Sequence, residues 1–421
     1  VPGARSVTLG YWVAVGSRDE FPAEAAHDGI SAHPASLGST HFLEHLLFKG
    51  TPSRTALDIA IAFDSVGGEH NAATAKEYTC YYAKIRDSDL PMAIDVMSDM
   101  LTSSLIDPDE FETERGVILE ELAMAEDDPS DVAQERFFEG VLGDHPLGRP
   151  IGGSPETIRA ATREAVVAHY RANYRPNDLV ITAAGSLDHD ELVAQVQRTL
   201  ETAGWDLSVE ATPVPRRDRT PALITQGKAL QVIERPIEQA NIMLGVPGIV
   251  ATDERRVVQT VMNAILGGGM SSRLFQEIRE KRGLAYSVFS FASSYSDAGA
   301  FGLFAGTSPK KAPEVAELLL SEFHKLAEHG VTADELSRAQ GQLAGGSALA
   351  LEDTDTRMSR LGKSEISSGE FIDYDAALSL LNAVTTERIQ DLAKELAGGP
   401  LSLVSVGQAD EAALSRILSQ G

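Results

Sequence analysis

Hydrophobic and polar positions alternate between two textures along the chain. Residues 7–16, Val-Thr-Leu-Gly-Tyr-Trp-Val-Ala-Val-Gly, are rich in β-branched and aromatic side chains and read as a strand. Residues 17–38 are broken by Pro22, Gly29, Pro34 and Gly38 and read as a loop. Thr40–Phe48 is an apolar run free of Gly and Pro, so it reads as a helix that stops near Gly50-Thr51-Pro52. A second helix is predicted over Ala56–Ser65, closed by Gly67-Gly68. Residues 70–86 read as one strand with a polar lead-in. Helical spacing returns over Leu90–Met100, Pro108–Ala125 and Val132–Leu142, with a loop at Asp127–Ser130. Asp107 can cap the Pro108 helix, where Pro suits the first turn and Asp109 and Glu110 complement the dipole. After the turn-rich His145–Pro150 come a strand at Leu179–Ala184 and an amphipathic helix at Asp190–Thr202.

Between Gly204 and Pro221 the texture changes: Pro213, Pro215 and Pro221 alternate with Arg216, Arg217 and Arg219, as in a linker. The second half then repeats the order of the first. Strands are predicted at Gln231–Glu234, Ile242–Val246, Tyr286–Ser293, Ala300–Ala305 and Leu401–Val406. Helices are predicted into Leu266–Met270 and over Leu274–Lys281, Pro313–Ala327, Ala333–Leu351, Glu387–Leu396 and Asp410–Leu418. The endings match in type: Leu179–Gly185 and Leu401–Gly407 each precede an amphipathic helix with an Asp near its start. A duplicated α+β domain accounts for this. The expected domains are residues 1–203 and 226–421, with a linker over 204–225, and each holds a mostly antiparallel sheet packed with helices.

Composition narrows the function. A chain of 421 residues exceeds one core. Hydrophobic content of 43% and charged content of 23% are those of an ordinary globular protein. No run reaches the 18 or so apolar residues of a membrane span, and no charged-then-apolar leader is visible. A net charge of -26 argues against nucleic-acid binding, since phosphates would be repelled. The single cysteine, Cys80, excludes an internal disulfide framework and fits a reducing, cytoplasmic setting.

The candidate chemistry lies in Thr40–Phe48, which contains His41-x-x-Glu44-His45. On a helix, residues four apart share a face, so His41 and His45 present two imidazoles to one point, with Glu44 on the same side. With 10 His in the chain, a chance match is expected on the order of 0.02 times. Catalytic zinc takes three protein ligands and an open position. Glu110, Glu112, Glu114, Glu120 and Glu121 on the Pro108 helix are the candidates for the third. Glu114 and Glu121, two turns apart, share the face of Val117 and Ile118, expected to meet the core; Glu112 and Glu120 point elsewhere. The Gly267-Gly268-Gly269 triplet lacks the spacing of a phosphate loop and is expected to be a flexible turn.

His41–His45, followed on the Pro108 helix by Glu121 within Glu114–Glu121, resembles the pitrilysin/insulinase family of zinc peptidases, the inverzincins. Gly68–Thr74, His145–Pro150, Leu266–Phe275 and Arg279–Tyr286 extend the resemblance over nearly the whole chain. The length matches the half-size, two-domain branch, which includes bacterial processing-type proteases and the mitochondrial processing peptidase beta subunit. The resemblance implies one Zn2+ per chain held by His41, His45 and Glu121. It implies Glu44 as general base and Glu114 as a carboxylate behind the ligands. Asn71 and Ala72 match an edge strand on which peptide substrates lie. Arg279 and Tyr286 match a pair that holds substrate and stabilises the oxyanion.

In the family's full-length members that pair lies in the opposite half of a four-domain clamshell. A homodimer in which one copy completes the other's site is therefore expected, acting as an endopeptidase on peptides or unfolded segments. A catalytically silent scaffold or presequence-binding subunit of the same fold is the other reading. The chain departs from the family pattern before Val7, where the usual strand and turn are absent or cut away, in a longer loop over 21–37 with His27 and His33, and in Asn241, where relatives often have His.

Overall fold

The computed structural model describes residues 3–21, 36–176, 179–208, 217 and 219–419. His27, His33 and residues 209–216 and 218 of the expected linker lie outside the described residues. From the start the elements are β1 (Ser6–Val13), α1 (Ser39–Leu46), α2 (Ala56–Asp64), β2 (Glu69–Thr74), β3 (Thr79–Arg86) and α3 (Leu90–Ser103). Then come α4 (Pro108–Asp127), α5 (Pro129–Leu142), α6 (Pro155–Ala160), α7 (Arg163–Asn173), β4 (Leu179–Gly185) and α8 (His189–Thr202). The second half begins with β5 (Leu230–Ile233), β6 (Ala240–Pro247), α9 (Arg256–Gly267), β7 (Ala285–Ser294) and β8 (Gly299–Thr307). It ends with α10 (Ala312–His329), α11 (Ala333–Ala350), α12 (Thr354–Ser367), α13 (Tyr374–Asn382), α14 (Thr386–Ala397), β9 (Ser402–Val406) and α15 (Glu411–Leu418).

The two sheets share one topology. The first has order β2-β3-β1-β4 and the second β5-β9-β6-β8-β7. Reading β6, β7, β8 and β9 as copies of β1, β2, β3 and β4 gives the same neighbours, all antiparallel. The one addition is β5, parallel to β9; among the described residues nothing stands in its place beyond β4. The α+β architecture expected from the repeated order is what the chain adopts.

The domain boundary differs from the expected cut. One compact unit comprises residues 1–123, 150–216 and 350–371; the other comprises 124–149, 217–349 and 372–421. Each unit therefore takes a helix from the other half of the chain. In the first unit, Val7, Leu9, Tyr11 and Val13 of β1 join the core with α1 and α3, while Trp12 on the opposite face packs against Met358 of α12. Gly362 lets α12 approach, since a Cβ there would lie 2.1 Å from the Trp12 ring. In the second unit, Ile242, Leu244 and Val246 of β6 face the main core, and Met243 meets Phe137, Phe138 and Val141 of α5. Both central strands are thus covered on both faces, and so read as continuous apolar runs.

One further expectation is overturned. Residues 70–86 are a hairpin, not one strand: Ala75 N–H bonds back to the Tyr78 carbonyl, and β2 pairs with β3 from Glu69↔Lys84 to Thr74↔Thr79. The helix expected over Leu274–Lys281 is present, wound as a π-helix over Phe275–Glu280.

Candidate metal centre

Helix α1 is eight residues long and turns its two faces to different tasks. Phe42, Leu43 and Leu46 are fully buried in the first core. His41, Glu44 and His45 lie on the other, partly exposed face. The two imidazoles meet edge-on, with ring centroids 4.8 Å apart and Nε2 atoms 3.3 Å apart.

Helix α4 brings the third group. Asp107 caps it as expected, accepting the N–H groups of Asp109 and Glu110. Phe111 stacks on Phe42 at 4.4 Å, fixing α4 against α1. Two turns beyond the buried Glu114, Oε2 of Glu121 lies 3.6 Å from His41 Nε2 and 3.3 Å from His45 Nε2. All three donor atoms fall within 4.8 Å of one another. Two donors each about 2.1 Å from one ion at a tetrahedral angle would stand about 3.4 Å apart, so the spacing and the chemistry of the set fit Zn2+. The shared face of α4 is less buried than expected. Val117 is exposed, and Glu121 is half-exposed because it looks out on the open side of the site. Glu112 and Glu120 are solvent-exposed, as their positions implied.

Behind the ligands, the Glu114 carboxylate is 3% exposed and held at both ends. Its Oε2 lies 3.0 Å from His45 Nδ1 and its Oε1 lies 2.5 Å from Lys49 Nζ. Donation from Nδ1–H to Glu114 leaves the Nε2 lone pair of His45 aimed at the gap. Burial, reinforced by the charge His45 could carry, lowers the pKa of His41 and keeps it neutral, the form that ligates metal. Nδ1 of His41 is buried without a hydrogen-bond partner among the described residues.

Glu44 is held from the neighbouring strand, where Thr74 Oγ1 donates to its Oε2 at 2.5 Å. Thr74 ends β2, which pairs only with β3 among the described residues and so presents a free edge. Asn71 and Ala72 lie on that strand; Asn71 Oδ1 accepts the Ala72 N–H at 2.8 Å, while Ala72 is buried.

Arg279 and Tyr286 belong to the second unit and form a pair of their own. The guanidinium lies 4.2 Å over the Tyr286 ring and 4.7 Å over the Phe275 ring, and Nη1 donates to the Tyr286 carbonyl at 3.0 Å. The β7–β8 register steps between Ala285↔Thr307 and Ser287↔Gly306, so Tyr286 is the bulged residue, and it is 78% exposed. A bulge of this kind re-aims a side chain out of the sheet. Gly267 is not slack: it ends α9, and a Cβ there would lie 2.2 Å from the Ser290 nitrogen. His145 closes its turn by accepting the Leu147 N–H, and Asn241 meets Ser130.

Lys49, Thr74 and Glu20 were not singled out as site residues by the sequence. Each acts through a contact with a residue well separated from it along the chain: Lys49 with Glu114, Thr74 with Glu44, and Glu20 with Thr40. Only Thr74 had a signal, as the last residue of the Gly68–Thr74 stretch.

Residues 1–154 match the family model described as insulinase, peptidase family M16, and residues 160–343 match that described as the peptidase M16 inactive domain. An uncharacterized zinc protease of Streptomyces coelicolor is 47% identical over 417 residues, 99% of this chain and 88% of that protein. The chain belongs to the M16 peptidase family. An uncharacterized zinc protease of Bacillus subtilis is 37% identical over 94% of this chain and 91% of its own length. Among solved structures, a protease from Helicobacter pylori superposes with a TM-score of 0.85 at 21% identity, covering 97% of this chain and 95% of that one. A peptidase M16 inactive domain from Pseudomonas fluorescens gives 0.81 at 20% identity, covering 97% and 93%. Within this M16 chain the histidine motif falls in the part matched by the insulinase model, and Arg279 and Tyr286 fall in the part matched by the inactive-domain model.

Proposed function

We propose that this M16 chain is a zinc metalloendopeptidase that hydrolyses peptides or unfolded segments. The observation that carries the reading is the convergence of His41, His45 and Glu121 beside Glu44. A Zn2+ ion held by those three residues would supply Lewis-acid polarisation of a peptide carbonyl and a water acidified towards neutral pH. Glu44, fixed by Thr74, takes a proton from the attacking water and returns it to the leaving amine. Glu114 keeps His45 in the tautomer that ligates. The free edge of β2 at Asn71–Ala72 receives the substrate backbone as an added strand, a mode that reads sequence loosely.

Arg279 and Tyr286 are read as an oxyanion and substrate clamp supplied by a second copy of the chain, so that a homodimer encloses the reaction. The ring-sandwiched guanidinium and the bulge-exposed Tyr286 support this, since both present a preorganised polar surface. Among the described residues no helix is long and apolar enough to cross a membrane; with the buried free thiol of Cys80, a cytoplasmic location is the reading offered.

The test is zinc content together with cleavage of a quenched peptide library. One zinc per chain, chelator-sensitive cleavage and its loss in Glu44→Gln are expected. Metal-replete protein that cleaves nothing would favour the silent scaffold. Mixing Glu44→Gln with Arg279→Ala chains should restore activity in mixed dimers; no recovery would count against the shared site.

A further inference from the structure

The metal helix cannot hold its own first turn. α1 spans eight residues beginning Ser-Thr-His-Phe, none of them a strong helix former, and helices this short are marginal in water. Its N-cap is Gly38, left-handed at φ 91 and without a capping side chain. His41 sits in this first turn, so fraying would move one of the three metal-set residues while leaving His45 in place.

The missing cap comes from elsewhere. Glu20, 1% exposed, accepts the Gly38 N–H at 2.7 Å through Oε2 and the Thr40 N–H at 2.6 Å through Oε1. A carboxylate there also complements the helix dipole. The Thr40 hydroxyl is fixed in turn by His169 Nε2 at 3.0 Å, and His169 by Asn173. The segment carrying Glu20 is itself tied to the β2–β3 turn, where Ser17 and Arg18 N–H groups donate to the Ala75 and Lys76 carbonyls. That turn directly follows Thr74, which holds Glu44. One strap, residues 16–20, thus connects the start of the metal helix to the strand that positions Glu44.

We propose that Glu20 is a positioning residue of the metal centre, holding His41 in register with His45 and Glu121 through the first-turn amides of α1. The proposal rests on the zinc reading of the site. Glu20 meets the helix at the Gly38 and Thr40 amides, so its effect on His41 passes through the helix backbone.

The experiment uses the full chain at pH 8 with Glu20→Gln, which keeps the shape but removes one acceptor and the charge, and Glu20→Asp, which keeps the charge on a shorter arm. Zn2+ and Co2+ affinities are read by competition with a chromophoric chelator, and ligand geometry by the Co2+ absorption spectrum. Metal-free protein is followed by hydrogen exchange in peptides covering 38–46 and by thermal melting. Glu20→Gln should weaken metal binding about tenfold or more, alter the Co2+ spectrum, and speed exchange at the α1 start about tenfold. Its melting temperature should be no lower than the parent's, because a buried charge has been removed. Glu20→Asp should fall between the two. A general structural role would instead lower the melting temperature and leave the Co2+ spectrum unchanged. Affinity, spectrum and exchange all within twofold of the parent in Glu20→Gln would overturn the proposal. Failure of the zinc reading looks different: the parent itself would bind no metal, and exchange in the metal-free protein would still judge Glu20.

Discussion

Nδ1 of His45 and Oε2 of Glu114 lie 3.0 Å apart, and the other oxygen of the same buried carboxylate reaches Lys49 Nζ. The carboxylate is thereby paired at both ends, and the histidine is turned so that Nε2 faces His41 and Glu121. Glu114→Gln is expected to lower zinc affinity by about 10–100-fold, as loss of an orienting carboxylate does elsewhere. Lys49→Met should act in the same direction by a smaller factor, since it leaves His45 its partner. Chelator competition measures both; unchanged affinity in Glu114→Gln would mean that His45 is oriented by other groups.

Thr74 and Glu44 make a second such pair. Thr74→Val removes the hydroxyl that donates to the Glu44 carboxylate while keeping the β-branched shape of the strand. We expect kcat to fall about tenfold with metal content unchanged, the effect of losing one hydrogen bond to a charged group. Thr74→Ser should recover most of the rate. A fall in zinc content would contradict the assignment of Thr74 to Glu44 alone.

His169 and Glu20 flank Thr40 and titrate with opposite consequences. Burial lowers the pKa of His169 from 6.5 to about 4, so the unfolded chain takes up a proton before the folded one. Its contribution is present above pH 6.5 and is lost as pH falls towards 4. Burial raises the pKa of Glu20 from 4.5 to about 7, against the opposing pull of the Thr40 and Gly38 N–H groups. The folded state therefore holds a proton that the unfolded chain has lost, and stability declines as pH rises from 4.5 to 7. Each effect is about 3 kcal/mol, and over pH 4.5–6.5 they nearly cancel. Denaturant unfolding should show this directly. His169→Gln should lose stability as pH rises through that window, and Glu20→Gln should gain it. Parallel pH profiles in the two variants would refute the pairing.

At Gly362, α12 lies tight against Trp12 of β1. Gly362→Ala would force a methyl against the Trp12 ring, where the gap is 2.1 Å. Overpacking of this kind costs about 1–3 kcal/mol, visible as a lower melting temperature and altered Trp fluorescence. Gly10→Ala should be milder, because the nearest atom there is the Met358 sulfur of a flexible side chain.

The sequence revealed what local chemistry encodes. His41, Glu44 and His45 announce themselves by spacing on one short helix, and the Asp107 cap and the strand–helix endings of the two halves are likewise local. The β2–β3 hairpin was hidden because Ala75–Glu77 carries neither Gly nor Pro between two alternating runs. Helix α7 escaped because charged residues break up its Ala and Val positions, and only Ala165, Val166 and His169 are buried. Helix α12 escaped for a different reason: its buried positions are only Thr354, Met358 and Gly362, a stripe too narrow to register as apolar periodicity. No pattern within it shows that its partner is a strand near the opposite end of the chain. Glu20 and Lys49 were unreadable for the same reason, since a charged side chain in a sequence does not show which amide or carboxylate it will meet.

The exchange of α5 and α12 bears on how the chain is built and broken. A ribosome that has released only the first half of the chain has made a sheet whose Trp12 face still waits for a helix encoded far downstream. That half matures only when synthesis is nearly finished. Conversely, a cut within 204–225 severs the backbone without freeing either part, because each piece still carries a helix seated in the other's unit. A nicked chain should therefore run as two bands on a denaturing gel and elute as one species in native buffer.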